Sequence, residues 1–102
     1  MVVFILERAP TSVRGELTKW LLEPMAGVFL GRISAEVRDR LWDHIVRQLG
    51  ERGAVDAAAV LVYSADNEQG FAFRIHGDPT REVVDFEGLA LVRMRPLESG
   101  RG

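Results

Sequence analysis

The chain has 102 residues, 47% of them hydrophobic, which is enough for one compact domain with its own core. It contains no cysteine, which excludes disulfides and thiolate metal sites and leaves the cytoplasm as the expected compartment. The formal charge of -2 excludes a uniformly basic nucleic-acid-binding domain, so any contact with phosphate must come from a local patch.

The first predicted elements are a strand and a helix. Residues 1–6 form an apolar run that is typical of a central strand covered on both faces and is too short for a signal peptide or a membrane span. Glu7 ends this strand. Thr11 or Ser12 is expected to cap a helix that continues as far as Pro24. Its apolar face consists of four residues at helical spacing: Val13, Leu17, Trp20 and Leu21.

A short strand and a second helix follow. Gly27 and Gly31 bracket a strand over residues 28–30, and Ser34 is placed to cap the second helix. This helix is expected to end between residues 50 and 53. Its main apolar face consists of four residues: Val37, Leu41, Ile45 and Leu49.

The rest of the chain is predicted to contain three further strands. Residues 55–63 and 71–76 should form a hairpin across the polar turn between them. A last strand is expected over residues 89–95, stopped by Pro96, and residues 97–102 are expected to be a disordered tail.

This order of elements predicts an α+β fold. We expect a ferredoxin-like sandwich over residues 1–96, with two helices on one face of a mainly antiparallel sheet. The other face of the sheet would then be open, although the apolar first strand needs cover on both sides. A second copy packed face to face would supply that cover, so the sequence predicts a homodimer.

Few residues are candidates for catalysis or metal binding. His44 and His76 have no second ligand at metal-binding spacing, and neither a nucleophile motif nor a phosphate-binding glycine loop is present. Glu7 is the remaining candidate, because a carboxylate directly after a central strand is held on a rigid element. One carboxylate is too few for magnesium, but a two-fold axis would bring the same residue from each subunit together. A strand-end charge in solvent is the alternative.

The strand at residues 71–76 partly matches the aromatic signature of RNA-recognition domains, in which strand aromatics stack on bases. In that fold the signature strand precedes the second helix, whereas here it follows both helices. Phe71 and Phe73 are therefore expected to be core residues.

A family resemblance extends over almost the whole chain. The residues that carry it are 3–7, Pro10, Arg14-Gly15, the Trp-Leu-Leu-Glu segment at 20–23, the Ala-Gly-Val-Phe-Leu-Gly segment at 26–31, Ser34-Ala35, Arg38, Trp42, Gly70-Phe71, Phe73, Asp85 and Gly88-Leu89. With this pattern the chain resembles the CRISPR-associated Cas-two proteins of the type I-E branch. The resemblance implies a ferredoxin-like homodimer that bridges two dimers of the Cas-one integrase and contacts the backbone of double-stranded protospacer DNA. Catalysis of integration would belong to the partner.

Residue roles on the DNA follow from the resemblance position by position. Arg14 and Arg81 match positions that contact phosphates. Arg8 is expected to compensate for Ser12 and Thr80, which stand where relatives have basic residues. Contacts with the backbone alone agree with the lack of base-reading motifs.

The resemblance also places the contacts with the integrase. Glu68 and Glu87 match acidic positions that face the partner, with ordinary solvated turn acids as the alternative. The segment 89–96, including Leu89 and Leu91, would pair with the partner's sheet or pack along it.

A second function stays open on the resemblance. Many members of the wider family are described as magnesium-dependent endonucleases acting on single-stranded RNA or double-stranded DNA, with an acidic residue after the first strand as metal ligand. Glu7 occupies that position, where much of the family has aspartate. The two hypotheses are thus a non-catalytic scaffold for spacer acquisition and a magnesium-dependent nuclease that uses Glu7 from both subunits.

Overall fold

The computed structural model describes the backbone of residues 1–86 and 89–94 and the side chains of residues 1–80. Within these ranges the strands are β1 Val2–Glu7, β2 Leu22–Met25, β3 Val28–Gly31, β4 Ala58–Ser64, β5 Phe71–His76, β6 Arg81–Phe86 and β7 Leu89–Met94. The helices are α1 Thr11–Thr18 and α2 Ala35–Glu51. Strands β1 to β5 form one antiparallel sheet in the order β2-β3-β1-β4-β5, and β6 and β7 form a separate hairpin. The predicted α+β fold of the ferredoxin-like kind is confirmed.

The core lies between the two helices and one face of the sheet. Val2, Phe4 and Leu6 alternate along β1 and belong to the buried cluster that contains the apolar residues of α1 and α2. Phe4 is fully buried, and its ring centroid lies 6.5 Å from that of Trp42 on α2. Ser34 caps α2 as predicted, since its hydroxyl accepts the N–H of Val37 at 3.2 Å.

The other face of the sheet carries no helix among the described residues and is strongly apolar. The intervening β1 residues Val3 and Ile5 point to this face and pair across it with apolar residues of β3 and β4. At the β5 edge of the same face, Phe73 is 43% exposed and Ile75 is 45% exposed. We call this surface the open face.

The first helix is shorter than the sequence predicts. It ends at Thr18, and Pro10 precedes it without a side-chain cap, so the predicted caps at Thr11 and Ser12 are wrong. The following residues turn into β2, an edge strand that contains Pro24. Trp20, predicted to lie on the buried face of the helix, is 53% exposed as a result.

The strands also differ from the prediction in three places. Phe71 and Phe73 lie on the open face instead of in the core. Val55 precedes β4 and is almost fully exposed, and β6 replaces part of the polar loop predicted after β5. The predicted end of the domain at residue 96 and the tail at 97–102 lie outside the described residues. Within the described part of the chain, no helix is long and apolar enough to cross a membrane.

Candidate functional site

Two arginines line a cleft where β1, α1 and the turn between β2 and β3 meet. The cleft has a volume of about 230 Å³. Its lining consists of Leu6, Arg8, Ala9, Arg14, Ala26 and Gly27. Arg8 directly follows β1, and Arg14 lies in the first turn of α1. The sequence predicts both arginines as phosphate contacts, and the structure brings them to this one surface, which we call the arginine cleft.

Arg14 is held by a carboxylate from β2. Its Nη2 donates to Glu23 Oε2 at 2.6 Å, and the same oxygen accepts the backbone N–H of Gly27 at 2.8 Å. These contacts lower the pKa of Glu23, with the Gly27 N–H contributing most and the Arg14 guanidinium next. The Arg14 Nε is buried without a hydrogen-bond partner, whereas the side chain as a whole is 39% exposed. Arg14 therefore presents a restrained guanidinium at the surface, a form suited to phosphate contact.

Arg8 connects three segments of the chain. Its backbone has a φ of 55°, in the left-handed region that residues other than glycine seldom adopt. Its Nε donates to the carbonyl oxygen of Asp56 at 2.7 Å, and its Nη2 donates to that of Asp78 at 3.3 Å. The side chain is partly exposed, so Arg8 contributes positive charge to the cleft from a fixed position.

Glu7, the candidate metal ligand, is engaged by Thr80. Its Oε1 accepts the backbone N–H of Thr80 at 2.7 Å, and its Oε2 accepts the Thr80 hydroxyl at 2.9 Å. The Arg8 Nη1 lies 3.6 Å from Oε1, and only 12% of the Glu7 side chain is exposed. The carboxylate is thus not a free charge in solvent, since each of its oxygens accepts a hydrogen bond from Thr80.

Glu68, a predicted contact of the integrase, lies away from this group. Glu68 is exposed in the turn between β4 and β5, just beyond the end of β4. Glu7 pairs with Ala58 at the opposite end of β4. Glu87, its predicted companion, lies outside the described residues.

The remaining predicted residues lie on the β6–β7 hairpin. Arg81 begins β6 directly after Thr80, so the hairpin starts beside Glu7. Leu89 and Leu91 lie on β7, in register with β6.

A second cationic cluster, which the sequence did not indicate, connects α2 to the sheet. The guanidinium carbon of Arg38 lies 3.9 Å from the ring centroid of Tyr63, and that of Arg74 lies 5.7 Å from it. Asp39 Oδ1 accepts from Arg38 at 2.9 Å and from Arg74 at 3.1 Å. The hydrogen bond from Arg38 is the main reason that the pKa of Asp39 is lowered. One carboxylate is shared by two guanidinium groups in this cluster, which joins α2 to β4 and β5.

Sequence reasoning also missed the partners of the predicted site residues. Glu23 is nine positions from Arg14, which would place the two on opposite sides of the long helix that the sequence predicts. Thr80 is 73 positions from Glu7, so no local spacing links them. Only the strand order of the fold brings these pairs together.

A comparison with protein-family models identifies the chain. The family described as CRISPR-associated protein (Cas_Cas2CT1978) matches residues 1–91. The chain belongs to this family. The family membership that the resemblance predicted, Cas-two, is thereby confirmed. The matched residues include Glu7, Arg8 and Arg14.

The Cas-two resemblance implies magnesium at Glu7, and the described residues do not fit that ion. Magnesium prefers near-octahedral oxygen coordination and usually binds one or two carboxylates that can turn towards it. Here both oxygens of Glu7 accept hydrogen bonds from Thr80, and the Arg8 cation lies alongside. Among residues 1–80, whose side chains the structure describes, no group of three or more acidic, histidine or cysteine side chains could hold a metal.

Proposed function

We propose that this Cas-two family chain is the dimeric scaffold of a spacer-acquisition complex of the type I-E branch. In this role it bridges dimers of the Cas-one integrase in the cytoplasm and contacts the backbone of double-stranded protospacer DNA. The observation that carries the proposal is the open face, because a scaffold of this kind needs a second copy and this surface is suited to one.

The open face supports a homodimer through its distribution of apolar residues. Its centre is already buried in the single chain, with Ile5 5% and Val60 1% exposed. Large apolar side chains are exposed at both edges, Leu22 and Met25 on one side and Phe73 on the other. Such a patch marks an interaction surface, and a two-fold axis would cover both edges at once. The apolar neighbours of Phe73 favour this use over stacking on nucleic-acid bases.

The arginine cleft supports contact with the DNA backbone. Arg8 and Arg14 supply two guanidinium groups at one site, although the chain as a whole is acidic. Guanidinium forks suit phosphate oxygens, and phosphate contacts carry no sequence information. Arg81, which directly follows the residue bound by Glu7, would extend this contact.

The β6–β7 hairpin supports contact with the integrase. Among the residues whose backbone is described, the hairpin forms a sheet separate from the five-stranded one, and a strand edge of this kind can pair with another chain. Glu68 adds an exposed carboxylate for electrostatic contact at the other end of β4.

Co-purification with the neighbouring integrase tests the proposal. The double variant Glu68→Arg and Glu87→Arg is expected to lose most of the captured integrase, because charge reversal opposes both predicted contacts. Glu51→Arg, a single charge reversal at the exposed end of α2, serves as the control and should capture as much as the wild type. Undiminished capture by the double variant would contradict the assigned interface. Absence of capture by the wild type would contradict the scaffold function itself.

A further inference from the structure

We infer that Glu7 is a positioning residue, which fixes the segment that leads from β5 into the β6–β7 hairpin, and is not the ligand of a metal ion. The inference does not depend on the scaffold function. Its consequence for the integrase rests on that proposal, because the hairpin is the element assigned to the partner.

The contact itself uses both oxygens of the carboxylate. Oε1 accepts the Thr80 N–H at 2.7 Å and Oε2 accepts the Thr80 hydroxyl at 2.9 Å, so two oxygens bind two groups of one residue. Hydrogen bonds to an ionised acceptor are stronger than those between neutral groups. We call this arrangement the Glu7–Thr80 clamp. It joins the end of the central strand β1 to the residue that directly precedes β6.

The three residues before Thr80 are constrained as well, each in a different way. Gly77 has a φ of 81°, and a Cβ there would lie 2.5 Å from the carbonyl oxygen of Ala57. The carbonyl of Asp78 accepts from Arg8, and Pro79 is buried. Arg8 adopts its left-handed backbone conformation immediately after Glu7. A strained residue at such a junction persists only when surrounding contacts determine it, as they do here.

A metal bound to Glu7 would compete with this arrangement. A cation that took the lone pair used by the Thr80 N–H would leave a backbone N–H without a partner, which is unfavourable. The Arg8 Nη1, 3.6 Å from Oε1, would then face a second cation at short range. The clamp accounts for the partly buried carboxylate without any ion.

Glu7→Ala and Glu7→Gln distinguish the two roles. Glutamine keeps both contacts of the clamp, since its oxygen accepts the Thr80 N–H and its amide donates to the hydroxyl, but it is a poor magnesium ligand. Hydrogen exchange of the Thr80 amide, measured by NMR, should be faster by about tenfold or more in Glu7→Ala and close to wild type in Glu7→Gln. Equal loss of protection in both variants, or in neither, would overturn the inference.

A second pair of variants leaves Glu7 untouched, in case Glu7→Ala does not fold. Thr80→Val removes the hydroxyl at nearly constant shape, whereas Thr80→Ser retains it. Tryptic cleavage after Arg81, followed by mass spectrometry, should be several-fold faster in Thr80→Val and unchanged in Thr80→Ser. Equal cleavage rates in the two variants would count against the clamp.

Magnesium and the integrase provide the final readouts on the same proteins. Titration of the wild-type chain with magnesium chloride should leave the Thr80 amide resonance in place, and a saturable shift that both Glu7 variants lose would overturn the inference. Glu7→Ala should capture less integrase than Glu7→Gln. If Glu7→Ala loses Thr80 protection yet captures integrase fully, the clamp stands, and the assignment of the hairpin to the partner fails.

Discussion

Arg14 and Glu23 form an ion pair that joins α1 to β2, with 2.6 Å between Nη2 and Oε2. The Gly27 N–H donates to the same oxygen, so Glu23 also links Arg14 to the turn between β2 and β3. This geometry fixes the orientation of the guanidinium in the arginine cleft. A phosphate bound there would share Arg14 with a neighbouring carboxylate.

Arg14→Ala is expected to weaken binding of DNA by the assembled complex about equally for all sequences. Because a lost phosphate contact releases fewer counterions, the slope of log K against log salt should fall by about one. Anisotropy titrations with two unrelated duplexes over a series of salt concentrations measure both effects. Arg47→Ala, an exposed arginine on α2 that does not line the cleft, should leave the slope unchanged. A loss confined to one duplex would contradict the prediction.

Glu23→Gln is expected to make stability less dependent on pH. The folded-state pKa of Glu23 lies below its usual value of 4.5, so its ionised form stabilises the fold above that pH, and this contribution is lost as the pH falls through the lowered pKa. Urea unfolding at pH 7 and at pH 3 should therefore show a smaller difference in midpoint for the variant than for the wild type. The matched control is Glu51→Gln at the exposed end of α2, which should behave as the wild type does.

Phe73→Asp is expected to weaken the proposed dimer by at least about tenfold, since a charge would be buried at the β5 edge of the proposed contact. Phe73 is already 43% exposed in the single chain, so the fold should survive. Analytical ultracentrifugation over a range of concentrations measures the association. Val55→Asp introduces the same charge at a residue that is 95% exposed before β4, and it should associate as the wild type does. Equal dissociation constants for the two variants would contradict a dimer through the open face.

The elements that local patterns specify were predictable from the sequence. Ser34 caps α2, and the four predicted residues of the main apolar face include Leu41, Ile45 and Leu49, which are buried. The hairpin of β4 and β5 follows its turn residues, with Asn67 accepting the Gly70 N–H at 2.7 Å through its side chain. These signals depend on residues only a few positions apart.

Features that depend on tertiary context were not predictable in this way. The spacing of Val13, Leu17 and Leu21 fits one helix, yet α1 ends at Thr18, and Leu21 is buried although it lies after the helix. The chain leaves the helix there because β2 gains hydrogen bonds with β3. The same holds at the site. Glu7 is predicted from its place at the end of a strand and Arg14 from the family resemblance, but their partners are set by strand order.

Gly27→Ala and Gly15→Ala are expected to change stability in opposite directions. Gly27 has a φ of 80°, and a Cβ there would lie 2.6 Å from the carbonyl oxygen of Leu6, so alanine should destabilise the fold by about 1–3 kcal/mol. Gly15 lies inside α1 with open space around it, and alanine should stabilise by about 0.5–1 kcal/mol. Urea unfolding at pH 7 measures both. A Gly27→Ala variant as stable as the wild type would show that the approach of the β2–β3 turn to β1 is not the constraint that fixes one wall of the arginine cleft.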